Sequence, residues 1–525
     1  MRKLLRKFKT KKIYIGITLI SLLLVGISYK FYFSNKNKIE NKTSQVIDNR
    51  NIAYTLNGEA TDKTYEWLLI NKVVDSVTCE KGTVATWNYE RNSLNLSGII
   101  IPDYCIVDFK DGYTVTLTAT NGTITSSAST SIGYNGTLNF DITPNDGYKL
   151  EGSTISCTGS ATGTATTTGV QISNIKETQT CTVTLKPNLP TLYEKILADN
   201  PTVSTRTDFS VINVANTTGT IYTTTATEDG STVYYYSGNT TNNWVYFGGF
   251  YWRIIRTNED GSVRLLYAGT SPDTTEGYIG TSKYNVNNND PRYVGYMYGT
   301  TGSLANNRTN TNGSAIKQTI DTWYENNLLT NYDKYISKTA IYCNDRSIGS
   351  GTYSASPRAR FYYAPYTRLL TNKTPTYKCG GNGTGGLFES TQAVEDKFSA
   401  STSGGGNGQL QYPIALMTSD ELAFAGGVYD TSLSSPYAWY YTNSTGGSIT
   451  GNNYWRTMSP SSISSVWYVY GSGGPGNLSL INVFPVHAVR PSVSLKSCAT
   501  WYSGDGTSTS PYQTSIDDAC ISAEN

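Results

Sequence analysis

The chain is short of the groups that most enzyme chemistry requires. Its 525 residues hold one histidine, His487, and no C-x-x-C pair. A Ser-His-Asp or Cys-His site would have to be built on His487, and so would most zinc sites. A lone histidine in PVHAVRP, between strands and beside a proline, reads as structural. Charge is scarce as well, at 15% of residues with a formal net charge of +2. Seven cations, Arg2, Lys3, Arg6, Lys7, Lys9, Lys11 and Lys12, crowd the start, and setting them aside leaves −5. That balance offers nothing to nucleic acid. Long apolar runs are limited to one, residues 13–29, IYIGITLISLLLVGISY, which contains no charge. With Lys30, Phe31, Tyr32 and Phe33 as a snorkelling flank, it covers roughly 30 Å, enough to cross the hydrocarbon core. The basic cluster stays in the cytosol and the rest of the chain goes out. A cleaved signal peptide is the rival reading, but bulky aromatics and Lys30 follow the run where small residues would be expected.

What the chain has in quantity is tyrosine, 42 residues, together with Gly, Ser, Thr and Asn. Such a composition suits β-structure with a polar, amphipathic exterior. Eight cysteines, an even number outside the membrane, point to disulfides. They fall in four close couples, so the expected bridges are sequential: Cys79 with Cys105, Cys157 with Cys181, Cys343 with Cys379, and Cys498 with Cys520.

Taken in order, the chain reads as a cytoplasmic segment (1–12), a transmembrane signal anchor (13–33), a polar tether (34–51), a small β-module (52–110), a second β-module (111–187), a linker with a short helix (188–207) and a large α+β domain (208–525). The two modules repeat a pattern: S-V-T-C or T-I-S-C leads in, and a cysteine followed by alternating apolar residues leads out. In the large domain, Trp244 to Phe247, Phe250 to Arg256 and Ser262 to Ala268 predict a hairpin and a third strand. Arg253 and Arg256 lie on opposite parities, and one of them is expected to pair with Glu259 or Asp260. Ser314 caps a predicted helix whose stripe is Ile316, Ile320, Trp323, Tyr324 and Leu328. Capping boxes at Thr191/Glu194 and Thr418/Glu421 start two shorter helices. Asp420 and Glu421 are thereby explained as first-turn acids, and the adjacent acids Glu395-Asp396 and Asp517-Asp518 read as exposed. None of these offers the carboxylate pair that a glycosidase needs.

The second module, with NGTITSS, YNGTLNFDITPNDGYKLEG and NIKETQTCTVTLK, resembles the bacterial Ig-like or repeat-type β-modules of surface proteins, which implies a stalk. YWRTMSP, VWYVYG and HAVRPSVSL, with the helix and aromatic loop before them, resemble the C-terminal module of bacterial surface proteins, which is similar to the C-type-lectin-like and formylglycine-generating-enzyme-like fold. The resemblance covers roughly residues 413 to 498. The lectin-like calcium signature of Glu-Pro-Asn and Trp-Asn-Asp motifs is missing, so neither metal nor cofactor is expected. In lectin-like folds the long loop carries the ligand, which singles out Tyr437, Trp439, Tyr440 and Tyr441 in the loop 428–453 as ring-stacking residues. Trp455 and Trp467, on strands, are expected in the core. The resulting expectation is a single-pass cell-membrane protein, N-terminus inside, with a stalk and a lectin-like head that binds an extracellular glycan or protein without catalysis. An enzyme acting on wall polysaccharide or protein is the alternative, and a structural coat protein the third reading.

Overall fold

The computed structural model describes residues 52–380, 396–401 and 406–522. The expected anchor and tether lie outside these residues; among the described ones no helix is long and apolar enough to cross a membrane. Strands predominate, arranged in several sheets, and all four expected disulfides are present. The chain divides after Pro187 into two compact units.

In the first unit, both cysteine couples are cross-strand bridges between residues directly opposite in an antiparallel ladder, Cys79 to Cys105 and Cys157 to Cys181. The repeat seen in the sequence extends further than the bridge. In the first module Ile52–Leu56 runs parallel to Cys105–Asp111, which runs antiparallel to Lys72–Cys79. In the second, Tyr113–Thr120 runs parallel to Gln179–Pro187, which runs antiparallel to Tyr148–Cys157. Each first strand also carries an antiparallel neighbour on its free edge, Glu59–Ala60 or Ser129–Ile132, so the two four-stranded sheets share one topology.

The modules differ in what covers that sheet. The helix Tyr65–Asn71, N-capped by Thr64, lays Leu68 on Val107 and Phe109 in the first. The second has a further four-stranded sheet, and Phe140, Ile142, Val170 and Ile172 from it meet Val115, Leu117, Val183 and Leu185. Alternation decides the inward set: along Gln179–Pro187, Gln179, Cys181, Val183 and Leu185 are buried while the residues between them are not. The modules touch closely at Gly133, whose N–H donates to Ile70 O at 2.8 Å. A Cβ there would stand 2.4 Å from Leu69 O, so no larger residue fits. Tyr89 and Tyr134 stack beside this contact at 4.2 Å.

The second unit holds an eight-stranded and a seven-stranded sheet that share one large core. The predicted hairpin is the middle of the first sheet: Trp244–Phe247 pairs with Phe250–Thr257, which pairs with Val263–Gly269. Pro491–Leu495 and then Ile414–Leu416 complete that side. The helix Ala315–Asn327 starts at Ser314 as predicted, and Ile316, Ile320 and Tyr324 enter the core. Residues 188–207, expected as a linker, are part of this domain. Leu192 and Ile196 of the capping-box helix Leu192–Asp199 are buried in the main core, and Thr202–Ser204 is the edge strand of the eight-stranded sheet.

Five apolar residues of the first module, Leu68, Val73, Cys105, Val107 and Phe109, are fully buried. A module with so little apolar burial depends on its crosslink. Replacing both Cys79 and Cys105 by Ser is expected to lower its stability by about 3 kcal/mol. The readout is the urea midpoint followed through Trp67 and Trp87.

Candidate functional site

The aromatic loop 428–453 packs inward. Trp439 and Tyr440 are fully buried, Tyr441 nearly so, and Tyr437 is half-buried against the same core. Trp439 Nε1 donates to Tyr236 O at 2.9 Å, and the Tyr440 hydroxyl donates to Gly476 O at 2.6 Å. Two buried guanidinium groups hold the loop's main chain. Arg490 donates to Tyr440 O at 2.9 Å and Arg253 to Thr442 O at 3.2 Å. Burial lowers the pKa of both arginines to about 9, and neither meets a carboxylate among the described residues. The expectation that Trp439, Tyr440 and Tyr441 form a stacking platform is therefore corrected: rings without exposed faces stack on no ligand. Trp455 and Trp467 are core, as expected.

Among the acids, the first-turn reading of Asp420 and Glu421 holds and the exposed placement of Asp396 is corrected. Asp420 and Glu421 begin the helix Ser419–Ala425 with the predicted capping box, yet both are buried in an ionic cluster. Arg368 grips Asp420 with two bonds, 2.7 and 2.8 Å, and Asp345 with a third at 2.7 Å. Glu421 lies 2.7 Å from Arg264 and 3.2 Å from Arg256. Arg256 also lies 3.7 Å from Glu259, one of the two acids expected for it. Asp396, expected at the surface, is fully buried and receives Arg346 Nη2 at 3.1 Å. Glu395 lies outside the described residues. Among those described, no group of three or more His, Cys, Asp or Glu is placed to hold a metal ion.

A different aromatic group is open to solvent. The strand Trp455–Ser462 lies antiparallel to Ser465–Val469 and beside Val486–Ala488. Its register sets Arg456 opposite Tyr468 and Trp455 opposite Val469, while Trp455 also pairs with Ala488. The residues just before these, Tyr454 and His487, and Tyr470 just after, therefore come together. Tyr454 is 4.9 Å from Tyr470, 5.7 Å from Tyr468 and 5.6 Å from His487, centroid to centroid. The His487 ring lies nearly parallel to Tyr468. Tyr468 forms the buried floor, and Tyr454, Tyr470 and His487 are half-buried around it. Exposed Asn452 and Asn453 edge the group, with Asn453 Nδ2 donating to the Tyr278 hydroxyl at 3.2 Å.

The signal for this group was present in the sequence. In VWYVYG, Trp467 and Val469 enter the core, and Tyr468 and Tyr470 leave the opposite face of the same strand. Beneath them Arg456, buried, donates to the carbonyls of Ser282, Asn482 and Pro485. Burial, helped by the charge of Arg456, lowers the His487 pKa to about 4, so the imidazole is neutral at neutral pH. Burial pushes Tyr468 up, as do its hydrogen bond and proximity to Tyr470. The result is a neutral, half-exposed cluster of rings with an amide rim, suited to a polar ligand that has flat apolar faces. No protein family, curated protein or solved structure matches this chain.

Two outcomes follow from this placement. Trp439→Ala empties a fully enclosed site and is expected to destabilise the domain by about 3–5 kcal/mol, comparable with Trp467→Ala, measured by urea denaturation. His487 binds its proton more weakly folded than unfolded. Its stabilising contribution is whole above about pH 6.5, the unfolded value, and is lost as pH falls toward 4. His487→Phe should flatten the fall of Tm between pH 7 and pH 4 relative to the parent protein.

Proposed function

We propose that this chain is a membrane-anchored surface protein whose large domain binds a glycan at the cluster of Tyr454, Tyr468, Tyr470 and His487, without catalysing a reaction. That half-open cluster is the observation that carries the reading. Sugar rings have one apolar face and hydroxyl edges, and half-buried tyrosines beside exposed asparagines complement both. The sequence resemblance to lectin-like surface modules and to Ig-like stalk modules supports the same reading. The non-enzymatic part is supported by the acids of the ionic cluster, where Asp345, Asp420 and Glu421 are each bonded to arginine.

In this reading the aromatic residues of the loop 428–453 act through packing, its Asn452 and Asn453 edge the ligand face, and the ring contacts move to Tyr454, Tyr468, Tyr470 and His487. The test is a glycan array probed with the detergent-solubilised full chain, alongside a panel of extracellular proteins. Tyr470→Ala and Tyr454→Ala should each weaken glycan capture roughly 2- to 13-fold, the equivalent of about 0.5–1.5 kcal/mol per stacked ring, with little change in Tm. Capture by a protein with no glycan bound would favour the protein ligand. Glycan capture untouched by both substitutions would remove this cluster as the site.

A further inference from the structure

We propose that residues 98–102 of the first module rest in the outer interface of the membrane that holds the anchor. Ile99, Ile100 and Ile101 stand in succession at 41%, 42% and 58% exposure, and Val84, in the neighbouring strand Val84–Asn88, is 59% exposed. Gly82 packs beside Ile100, and no charged residue occurs between Arg91 and Asp103. Alkyl side chains grouped in this way, with exposed Glu80 and Lys81 beside them, match the boundary between acyl chains and charged headgroups of a bilayer.

The loop is held in place from within the module. Asp103, buried, accepts from the N–H groups of Lys81 (2.8 Å), Thr83 (3.0 Å) and Tyr104 (2.8 Å). Buried Thr83 in turn accepts from the Ile100 N–H at 3.0 Å. The isoleucines are therefore presented in a fixed arrangement, and little ordering entropy remains to be lost on contact.

Their position identifies the occupant. Ile52, the first described residue, pairs with Cys105, and Cys79 pairs with Cys105 as well. The end of the sheet where the chain arrives is thus the end that carries the isoleucine loop. Asp111, which leads into the second module, is at the other end opposite Lys72. Residues 34–51 join the apolar run to this isoleucine-bearing end, and a chain of that length spans at most roughly 60 Å. A bilayer held by residues 13–33 is then within reach of the loop.

This inference rests on the anchor in the proposed function, and the experiment separates the two. The full-length protein is placed in nanodiscs of phosphatidylcholine and phosphatidylglycerol, with p-benzoylphenylalanine in place of Ile100, of Leu22 in the anchor, or of Glu59 at the far end of the sheet. Illumination should give lipid adducts at positions 100 and 22, and about tenfold fewer at position 59, the contrast expected from burying an alkyl side chain. An Ile99→Asp/Ile101→Asp double variant should lower the yield at position 100 by a similar factor while the module still folds. Lipid adducts at 22 with none at 100 overturn the docking and leave the anchor standing. An absence at both overturns both. Adducts at 100 to protein alone overturn lipid as the occupant.

Discussion

Guanidinium groups bonded to main-chain carbonyls are what allow the large domain to exist. Much of its interior is irregular chain, and a buried carbonyl outside a ladder must find a donor or lose its hydration uncompensated. Arginine supplies up to five N–H groups from one planar head. Arg490 serves Tyr267 and Tyr440, Arg253 serves Thr240 and Thr442, Arg456 serves Ser282, Asn482 and Pro485, and Arg264 serves Ile341 and Leu416. Rings lie against several of these heads, Trp455 on Arg490 at 4.6 Å and Trp244 on Arg253 at 4.2 Å. A chain of low overall charge thus buries seven arginines, Arg253, Arg256, Arg264, Arg346, Arg368, Arg456 and Arg490, in its large domain, where they organise loops.

The same device separates what was legible in the sequence from what was not. Capping boxes at Thr191 and Thr418, the cap at Ser314 and the hairpin at Gly248-Gly249 are local, decided by residues within one or two turns of each other. The disulfide pairs were legible because partners are near in sequence, and two of the four pairs lie on adjacent strands. The fate of the loop 428–453 was not, since its burial depends on Arg490 and on Arg253, 189 residues before the carbonyl it holds. Asp396 misled for a similar reason: a polar stretch hid a carboxylate whose partner, Arg346, lies 50 residues away. Tyr468 and Tyr470 were legible through alternation with Trp467, whereas the density of aromatics in the loop 428–453 does not distinguish buried rings from exposed ones.

The candidate ligand face combines a fixed floor with neutral chemistry. Arg456 ties three separate segments together under the tyrosines, so the rings stand on a rigid base. Its charge also helps to keep His487 unprotonated. A neutral imidazole and three phenols offer flat faces and hydrogen-bonding edges, with no formal charge to favour an ionic ligand.

The shared sheet of the two small modules has a mechanical consequence. In each, the first and last strands are adjacent and parallel, with five registered positions from Ile52 to Leu56 and six from Val115 to Thr120. Tension applied along the chain pulls such strands past one another lengthwise, so the ladder's bonds carry the load together. Antiparallel terminal strands would instead be peeled apart one bond at a time. The bridges tie the last strand to the one beyond it, Cys105 to Cys79 and Cys181 to Cys157, so the element bearing the load is covalently braced on its other side. A tether built from these modules would resist extension by shear, a property that matters to any protein held at one end and pulled at the other.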